Sequence, residues 1–268
     1  MDENQSNFEI RNWWRNSIID MEPGKINLRG HPIDKLIGKV SFPQMIWLMV
    51  RGELPSEAEA KLLECALVAG VDHGPQAPSI AAARMAATCG VDLNNVIATG
   101  VNMLGDVHGG AGEQCAELYF DIANRMKTEN IENAVIQELN EWRKKYGKII
   151  AGFGHRFHKP VDPRAPLLMA KVREAAKNKT VCGVYADIGE MVQKEISKQR
   201  GDRPIAMNID GATAVIFCEL GFPPPLSRGL FCLSRSVGIL AHGWEQMEMG
   251  GRNKGPMPPS FLPIYKPQ

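Results

Sequence analysis

The sequence has no excess of charge of either sign, no closely paired cysteines, no apolar run long enough to cross a membrane and no sustained strand-like alternation. Each absence excludes something. With 31 basic residues against 30 acidic ones the net charge is +1. The electrostatic footprint of a nucleic-acid binder is missing, so any recognition of anions has to be local. The six cysteines, Cys65, Cys89, Cys115, Cys182, Cys218 and Cys232, stand apart and mostly in apolar helical contexts. That pattern suits reduced core thiols rather than a disulfide framework or a zinc site. The polar, acidic opening Met1-Asp-Glu-Asn-Gln-Ser6 argues against a signal or transit peptide. No run approaches the roughly 20 apolar residues of a spanning helix, and the expectation is a soluble cytoplasmic protein with neither a membrane nor a nucleic-acid partner. In the absence of strand periodicity, repeats, low-complexity segments or a marked linker, the expected class is all-α.

What is present is mostly helical punctuation. Ser41-Phe-Pro-Gln44 has capping-box spacing ahead of the apolar run 45–50. Ser56-Glu-Ala-Glu59 repeats the device ahead of Leu62, Leu63, Ala66 and Leu67, so this region reads as a helix pair. Helices rich in small residues follow over 80–88 and about 94–103. Small side chains let helices approach closely, and burying such helices calls for a partner, hence an expected homodimer or higher homo-oligomer. An amphipathic helix over 129–146 carries Val135, Leu139 and Trp142 on its apolar face. Two more helical patterns cover 164–176 and 185–199, and two apolar helices flank Gly221-Phe-Pro-Pro-Pro225. Residues 1–24, with the pair Trp13-Trp14, read as a short helix or arm, 24–37 as an extended turn entering a helix, and the Gly- and Pro-rich tail from Gly250 as an extended surface segment. The more charged stretch 156–203 is the candidate for a smaller helical lobe, beside a large helical domain of residues 1–155 and 204–268.

Chemistry is concentrated at 151–165. Gly152 and Gly154 leave the backbone bare beside His155, so a ligand can approach peptide groups and meet an imidazole in one place. Arg156 and Lys159 follow at once. Asp162-Pro163 reads as a helix start, with Asp162 as N-cap and Pro163 at the first helical position, which puts Arg164 in the opening turn. A guanidinium binds a carboxylate bidentately, so the stretch suits a small anionic substrate, with phosphates nearby. A glycine-rich loop that caps a helix and exposes solvated charge explains the same residues, and both readings stay open at this point. His155-x-x-His158 could be a pair of metal ligands, but no third ligand has matching spacing and Pro160 would interrupt a helix, so no metal is expected. Elsewhere, His73 lies in the proline-broken turn 71–79, His108 in the glycine-rich loop 105–112 ahead of an apolar helix, and Asp210 at the end of the apolar segment 205–210. Any one such histidine is more often a hydrogen-bonded structural residue than a catalyst.

Taken together and in order, these blocks resemble the citrate synthase superfamily. Arg29-Gly-His-Pro-Ile33 and Gly52-Glu-Leu-Pro55 are similar to its Arg-Gly-x-Pro-Ile and Gly-Glu-Leu-Pro segments. Asp72-His73 is similar to its Asp-His motif and His108-Gly-Gly-Ala111 to its His-Gly-Gly-Ala loop. Gly152 to His155 with Asp162-Pro-Arg-Ala165 resemble its Gly-His-Arg and Asp-Pro-Arg-Ala blocks, and Asn208-Ile-Asp210 its Asn-Val-Asp. Ser234 to Gly238, Ala241-His242 and Glu245-Gln246 resemble its closing block.

The resemblance implies a citrate synthase-like helical fold, no permanently bound cofactor, a coenzyme A thioester as substrate and di- or tricarboxylates as the other small-molecule partners. In condensation, it implies that Asp210 takes a proton from the acetyl thioester methyl and His108 donates to the enolate oxygen. His155 would polarise the keto acid's carbonyl, while Arg164, Arg235 and His73 hold its carboxylates. Coenzyme A would lie along Ala151, Gly152, Phe153 and Gly154, with Arg156 and Lys159 at its phosphates, and Arg252 would reach the site of a neighbouring subunit. The chemistry fits, because a weakly acidic methyl requires both a positioned base and an oxyanion donor. His108, near a helix N-terminus, would stay neutral in the positive end of the dipole. Run backwards, the same residues split a 3-hydroxyacyl-CoA, with His155 accepting the hydroxyl proton and Asp210 protonating the enolate carbon.

Three departures resemble the citryl-CoA lyase module of ATP-citrate lyase more than the synthases. They are Gly211-Ala-Thr213 after Asp210, Gly105-Asp106 ahead of His108, and Asp72-His-Gly-Pro75. His108 itself, where that module has Phe, is synthase-like. The expected activity is cleavage of citryl-CoA, or a closely related 3-hydroxy-carboxyacyl-CoA, to acetyl-CoA and oxaloacetate or the matching keto acid. The alternatives are a citrate or 2-methylcitrate synthase and an inactive homologue that binds coenzyme A or carboxylates.

Overall fold

The computed structural model describes residues 9–267, which fall into two compact units divided after Glu64. The expected N-terminal arm is helical over 9–13, and its first eight residues lie outside the described part. In the first unit the side chain of Asn16 accepts from the N–H groups of Ile18 and Ile19 and turns the chain into a strand. That strand, β1 (Ile19–Glu22), pairs antiparallel with β2 (Lys25–Leu28), which pairs antiparallel with β3 (His31–Pro32). Between β1 and β2, Pro23 and Gly24 close the hairpin, and Gly24 has φ +80, the conformation that favours glycine at the third position of a tight turn. The class is all-α as expected. This small sheet left no trace of alternation because strands of two to four residues are too short to build one.

Three helices follow: α1 (Ile33–Leu36), α2 (Phe42–Arg51) and α3 (Glu57–Gly70). Both capping boxes form. The Ser41 hydroxyl accepts from the Gln44 N–H while the Gln44 side chain accepts from the Ser41 N–H, and Ser56 and Glu59 exchange the same pair of bonds.

The second unit is built of α4 (Pro78–Ala87), α5 (Leu93–Asn102), α6 (Ala111–Arg125), α7 (Ile131–Tyr146), α8 (Arg164–Lys177), α9 (Val184–Gln199), α10 (Ile209–Glu219) and α11 (Pro224–Glu248). The long α11 packs on α4, α5 and α6. Its approach relies on small residues. A Cβ on Gly100 would come within 2.6 Å of Ile239, and one on Gly243 within 2.5 Å of Val96. Ala77, Ile80, Ala83, Val96 and Ile239 are buried together at this contact. One face of each small-residue helix is therefore covered by α11 of the same chain, while Ala98 and Thr99 stay exposed, and oligomerisation is a proposal.

Helix α10 is buried from Ile209 to Cys218 apart from Asp210, and it packs on α6, α8 and α9. The contact pattern sets no boundary around 156–203, since α8 and α9 both lie on α10. A smaller lobe there is a proposal about motion. Among the described residues the tail beyond Gly250 has neither helix nor strand, and it is tied down at Asn253 and Lys254, whose N–H groups bond to Thr88 at the end of α4. Among the described residues no helix is long and apolar enough to cross a membrane.

Candidate active site

Asp210 occupies the first turn of α10. Asn208 starts that helix, its side-chain oxygen accepting from the N–H groups of Asp210 (2.9 Å) and Gly211 (3.2 Å) while its amide donates to the Gly154 carbonyl (2.7 Å). The adjoining backbones are clipped together. Gly154 N–H donates to Ala206 O (2.8 Å), Asn208 N–H donates to Gly152 O (2.9 Å), and Phe153 forms an antiparallel bridge with Met207. The closest approach is between Gly152 and Gly211, where a Cβ on Gly211 would collide with the Gly152 carbonyl. Gly152 has φ +86, and a Cβ there would lie 2.5 Å from Cys115 Sγ. Two bare backbones thus bring the loop of His155 to the helix of Asp210.

Asp162 joins the same two elements from below. It is 1% exposed and accepts from Arg164 N (3.1 Å), Arg164 Nε (3.0 Å), Arg164 Nη2 (2.9 Å) and Ile209 N (3.1 Å). The N-cap position of α8 is Pro163, without a side-chain cap, so the expected cap assignment is corrected by one residue. The carboxylate instead aims the Arg164 guanidinium and holds the start of α10. Burial would raise its carboxyl, but the hydrogen bonds from Arg164 and Ile209 outweigh it and bring the pKa to about 2.

The imidazoles have tautomers fixed by backbone donors. His155 Nδ1 accepts from the N–H groups of Phe157 (3.1 Å) and His158 (3.0 Å). An amide N–H can only donate, so Nδ1 carries the lone pair and the neutral ring holds its proton on Nε2. That atom lies 3.2 Å from His73 Nε2, so His155 donates and His73 accepts. Burial is the main cause lowering both pKa values. The charge of Arg164 adds to it at both, while Asp162 opposes it at His155. Both shifts favour the neutral rings.

The His158 ring lies 4.6 Å from that of His155 and 6.0 Å from that of His73, and nitrogens of all three fall within 4.8 Å of one another. The third imidazole that local spacing did not offer is thus supplied by the fold, from 82 residues before His155. A metal-bound imidazole donates through its other nitrogen, whereas His155 Nδ1 accepts, so Nε2 keeps its proton and faces the cluster as a donor. In this tautomer His155 presents a donor, and no lone pair, to the cluster.

His73 is held by the turn before it. Asp72 accepts from the Gly74 N–H (2.9 Å) and faces His242 Nε2 at 3.3 Å, and Gly238 of α11 leaves room for the Val71 carbonyl. Arg235, also on α11 and buried, donates from Nε to the Gly70 carbonyl (3.0 Å) and lies over the Phe231 ring at 4.9 Å.

His108 Nε2 accepts from the Ser79 N–H (3.2 Å), with the Ser79 hydroxyl at 3.0 Å, which leaves the proton on Nδ1. Burial lowers its pKa and Arg235 lowers it further. Ser79 belongs to the first turn of α4, so the helix N-terminus that His108 Nε2 meets is that of α4 and not that of α6, which follows it in sequence. Gly105 N–H donates to His108 O (2.8 Å) and Asp106 pairs with Arg228 (2.6 Å), closing the loop.

Two guanidinium groups unite the set. The charge of Arg235 acts on His73, His108 and Asp210, and that of Arg164 on His73, His155 and Asp210. Burial raises the Asp210 carboxyl, and the two arginines oppose that rise. Gly152, Phe153 and Gly154 form the clip just described and half-buried Ala151 precedes it, while Arg156 and Lys159 are exposed. Arg252 is not brought in. It adjoins Asn253 at Thr88, nine residues along α4 from Ser79 and so about 13 Å away by helical rise. The residues missed from sequence are Asp162 as an anchor, Asn208, Ser79 and the acceptor role of His73. Only Asn208, an Asx residue just ahead of a helix, carried a usable signal.

Residues 55–268 match the family described as citrate synthase, C-terminal domain, and the chain belongs to the citrate synthase family. It is 28% identical over 209 residues to the citrate synthase of Saccharolobus solfataricus, covering 78% of this chain and 53% of that protein. To the citrate synthase of Haloferax volcanii it is 30% identical over 203 residues, covering 75% and 50%. The chain therefore spans about half the length of the curated relatives it matches. Among solved structures, citryl-CoA lyase from Hydrogenobacter thermophilus is similar with a TM-score of 0.82 and 32% identity, over 95% of both chains. ATP citrate lyase from Methanothrix soehngenii, solved with citrate and coenzyme A, shares the fold at a TM-score of 0.79 and 22% identity, over 100% of this chain and 45% of that one.

Proposed function

We propose that this protein is a citryl-CoA lyase, splitting citryl-CoA or a closely related 3-hydroxy-carboxyacyl-CoA into acetyl-CoA and oxaloacetate or the matching keto acid. The observation that carries the reading is geometric: His155 Nε2 lies 3.2 Å from His73 Nε2, on a loop that backbone bonds and Asn208 clip to the first turn of the Asp210 helix, with the charges of Arg164 and Arg235 acting on that carboxyl. Arg164, with Nε and Nη2 held by Asp162, presents Nη1 to a substrate carboxylate, and Arg235 takes another. His155 Nε2–H donates to the C3 oxygen. As the C2–C3 bond breaks, its electron pair enters the thioester enolate, whose oxygen receives the His108 Nδ1–H, and Asp210 in its acid form protonates the carbon. The coenzyme A moiety, a substrate rather than a resident cofactor, would lie along Ala151 to Gly154 with Arg156 and Lys159 at its phosphates. Movement of 156–203 as a smaller lobe would exclude water, which keeps citryl-CoA from hydrolysis. In a homodimer, Arg252 would complete the neighbouring site.

A synthase running the same steps in reverse is the second reading, supported by the names of the curated relatives and by His108. The lyase is preferred for the likeness to a citryl-CoA lyase over nearly the whole of both chains. Purified protein given citryl-CoA, and separately acetyl-CoA with oxaloacetate, distinguishes them. A lyase releases keto acid and acetyl-CoA without free thiol. Free thiol from both mixtures identifies a synthase, and silence in both rejects the two readings.

A further inference from the structure

The facing pair His73 and His155 is chemically asymmetric. Their Nε2 atoms are 3.2 Å apart, and the two backbone N–H groups on His155 Nδ1 dictate which of the two carries the shared proton. One ring offers an N–H and the other a lone pair, each satisfying the other. A tertiary alcohol needs both, because its oxygen accepts one hydrogen bond and its O–H donates another. A keto oxygen can use only the donor.

We propose that His73 is the base that removes the C3 hydroxyl proton during cleavage, with His155 as its fixed hydrogen-bond donor. The assignment rests on the lyase reading above and deepens it. The substrate hydroxyl replaces the contact between the two rings, accepting from His155 Nε2 and donating to His73 Nε2. The O–H proton passes to His73, the oxygen lone pair forms the C=O bond, and the C2–C3 electron pair leaves as the thioester enolate. Asp210 gives its proton to that carbon, so His73 ends as imidazolium and Asp210 as carboxylate, and solvent exchange restores both. The rise in positive charge on His73 is matched by the substrate carboxylates, which neutralise Arg164 and Arg235, the two groups that otherwise disfavour it. His155 cannot take this role, since one nitrogen is occupied by amides and the other already bears a proton.

The test separates two half-reactions. Exchange of the acetyl-CoA methyl protons in deuterated water, measured for each variant at saturating malate so that any weaker hold of His73 variants on the carboxylates is compensated, uses Asp210 and His108 but moves no hydroxyl proton. For His73→Gln, citryl-CoA cleavage is expected to fall about 10²–10⁴-fold while exchange falls by less than about tenfold. For His73→Ala, added imidazole is expected to restore part of the cleavage. Circular dichroism of both variants establishes that they are folded. Cleavage by His73→Gln within about tenfold of the unaltered protein, or parallel loss of both half-reactions in a folded variant, overturns the assignment. Silence of the unaltered protein in both assays overturns the lyase reading and the assignment together, a pattern distinct from an active parent with unaffected variants.

Discussion

A carboxylate without solvent contact is stable only when its lone pairs are used, and at Asp162 four donors use them. Its pKa of about 2 in the folded chain against 3.8 as an ordinary aspartate corresponds to about 2 kcal/mol of stability. Because the folded value is the lower one, that contribution is complete above about pH 4 and is lost as the pH falls through about 2. Urea midpoints measured from pH 6 to pH 2 should show this loss, and Asp162→Asn should be less stable at pH 6 with a flatter acid limb. Asp210 has the opposite sign. Burial holds its carboxyl above the ordinary value, so its ionised form opposes folding and stability falls as the pH rises through the folded pKa. Asp210→Asn should therefore raise the unfolding midpoint at pH 7. It should also lower turnover about 10²–10⁴-fold while leaving oxaloacetate binding nearly intact by calorimetry. Equal losses of binding and rate would remove Asp210 from the chemistry.

Helices and loops meet at this site through glycines more than through side-chain packing. The approach of 152–154 to 206–211 leaves no space for a Cβ at Gly211, where the obstacle is a backbone carbonyl that cannot turn aside. Gly211→Ala should cost about 1–3 kcal/mol by overpacking and reduce turnover by more than its loss of folded protein, since the shift displaces Asp210 from His155. Denaturation midpoints with activity per folded molecule give both readings. Gly211 had been notable only as a departure from the synthase pattern, and its steric reason needed Gly152, which lies far from it in sequence. The capping boxes at Ser41 and Ser56 were legible in advance because both partners lie within one helical turn. The anchoring role of Asp162 is not legible in the sequence, because its fourth donor, Ile209 N–H, is 47 residues away.

At the scale of the whole molecule, α11 does two jobs. It buries the small faces of α4 and α5, and it carries Arg235 and the glycine that admits the turn of His73. Arg252 lies past its end, away from the site of its own chain, so its proposed role requires a second copy. Mixing Asp210→Asn with Arg252→Ala under conditions of subunit exchange should recover activity beyond the sum of the two variants, and no recovery would reject the arginine as a shared residue. Helix positions, the capping boxes at Ser41 and Ser56 and the inventory of ionisable side chains were determined by the sequence itself, because periodicity and capping act over three or four residues. The short β-hairpin, the third imidazole, the partners of Asp162 and the proton on each histidine ring were decided only by tertiary structure. A proton's position depends on the donors that face the ring, and at His108 and His73 those donors arrive from segments 29 and 82 residues distant.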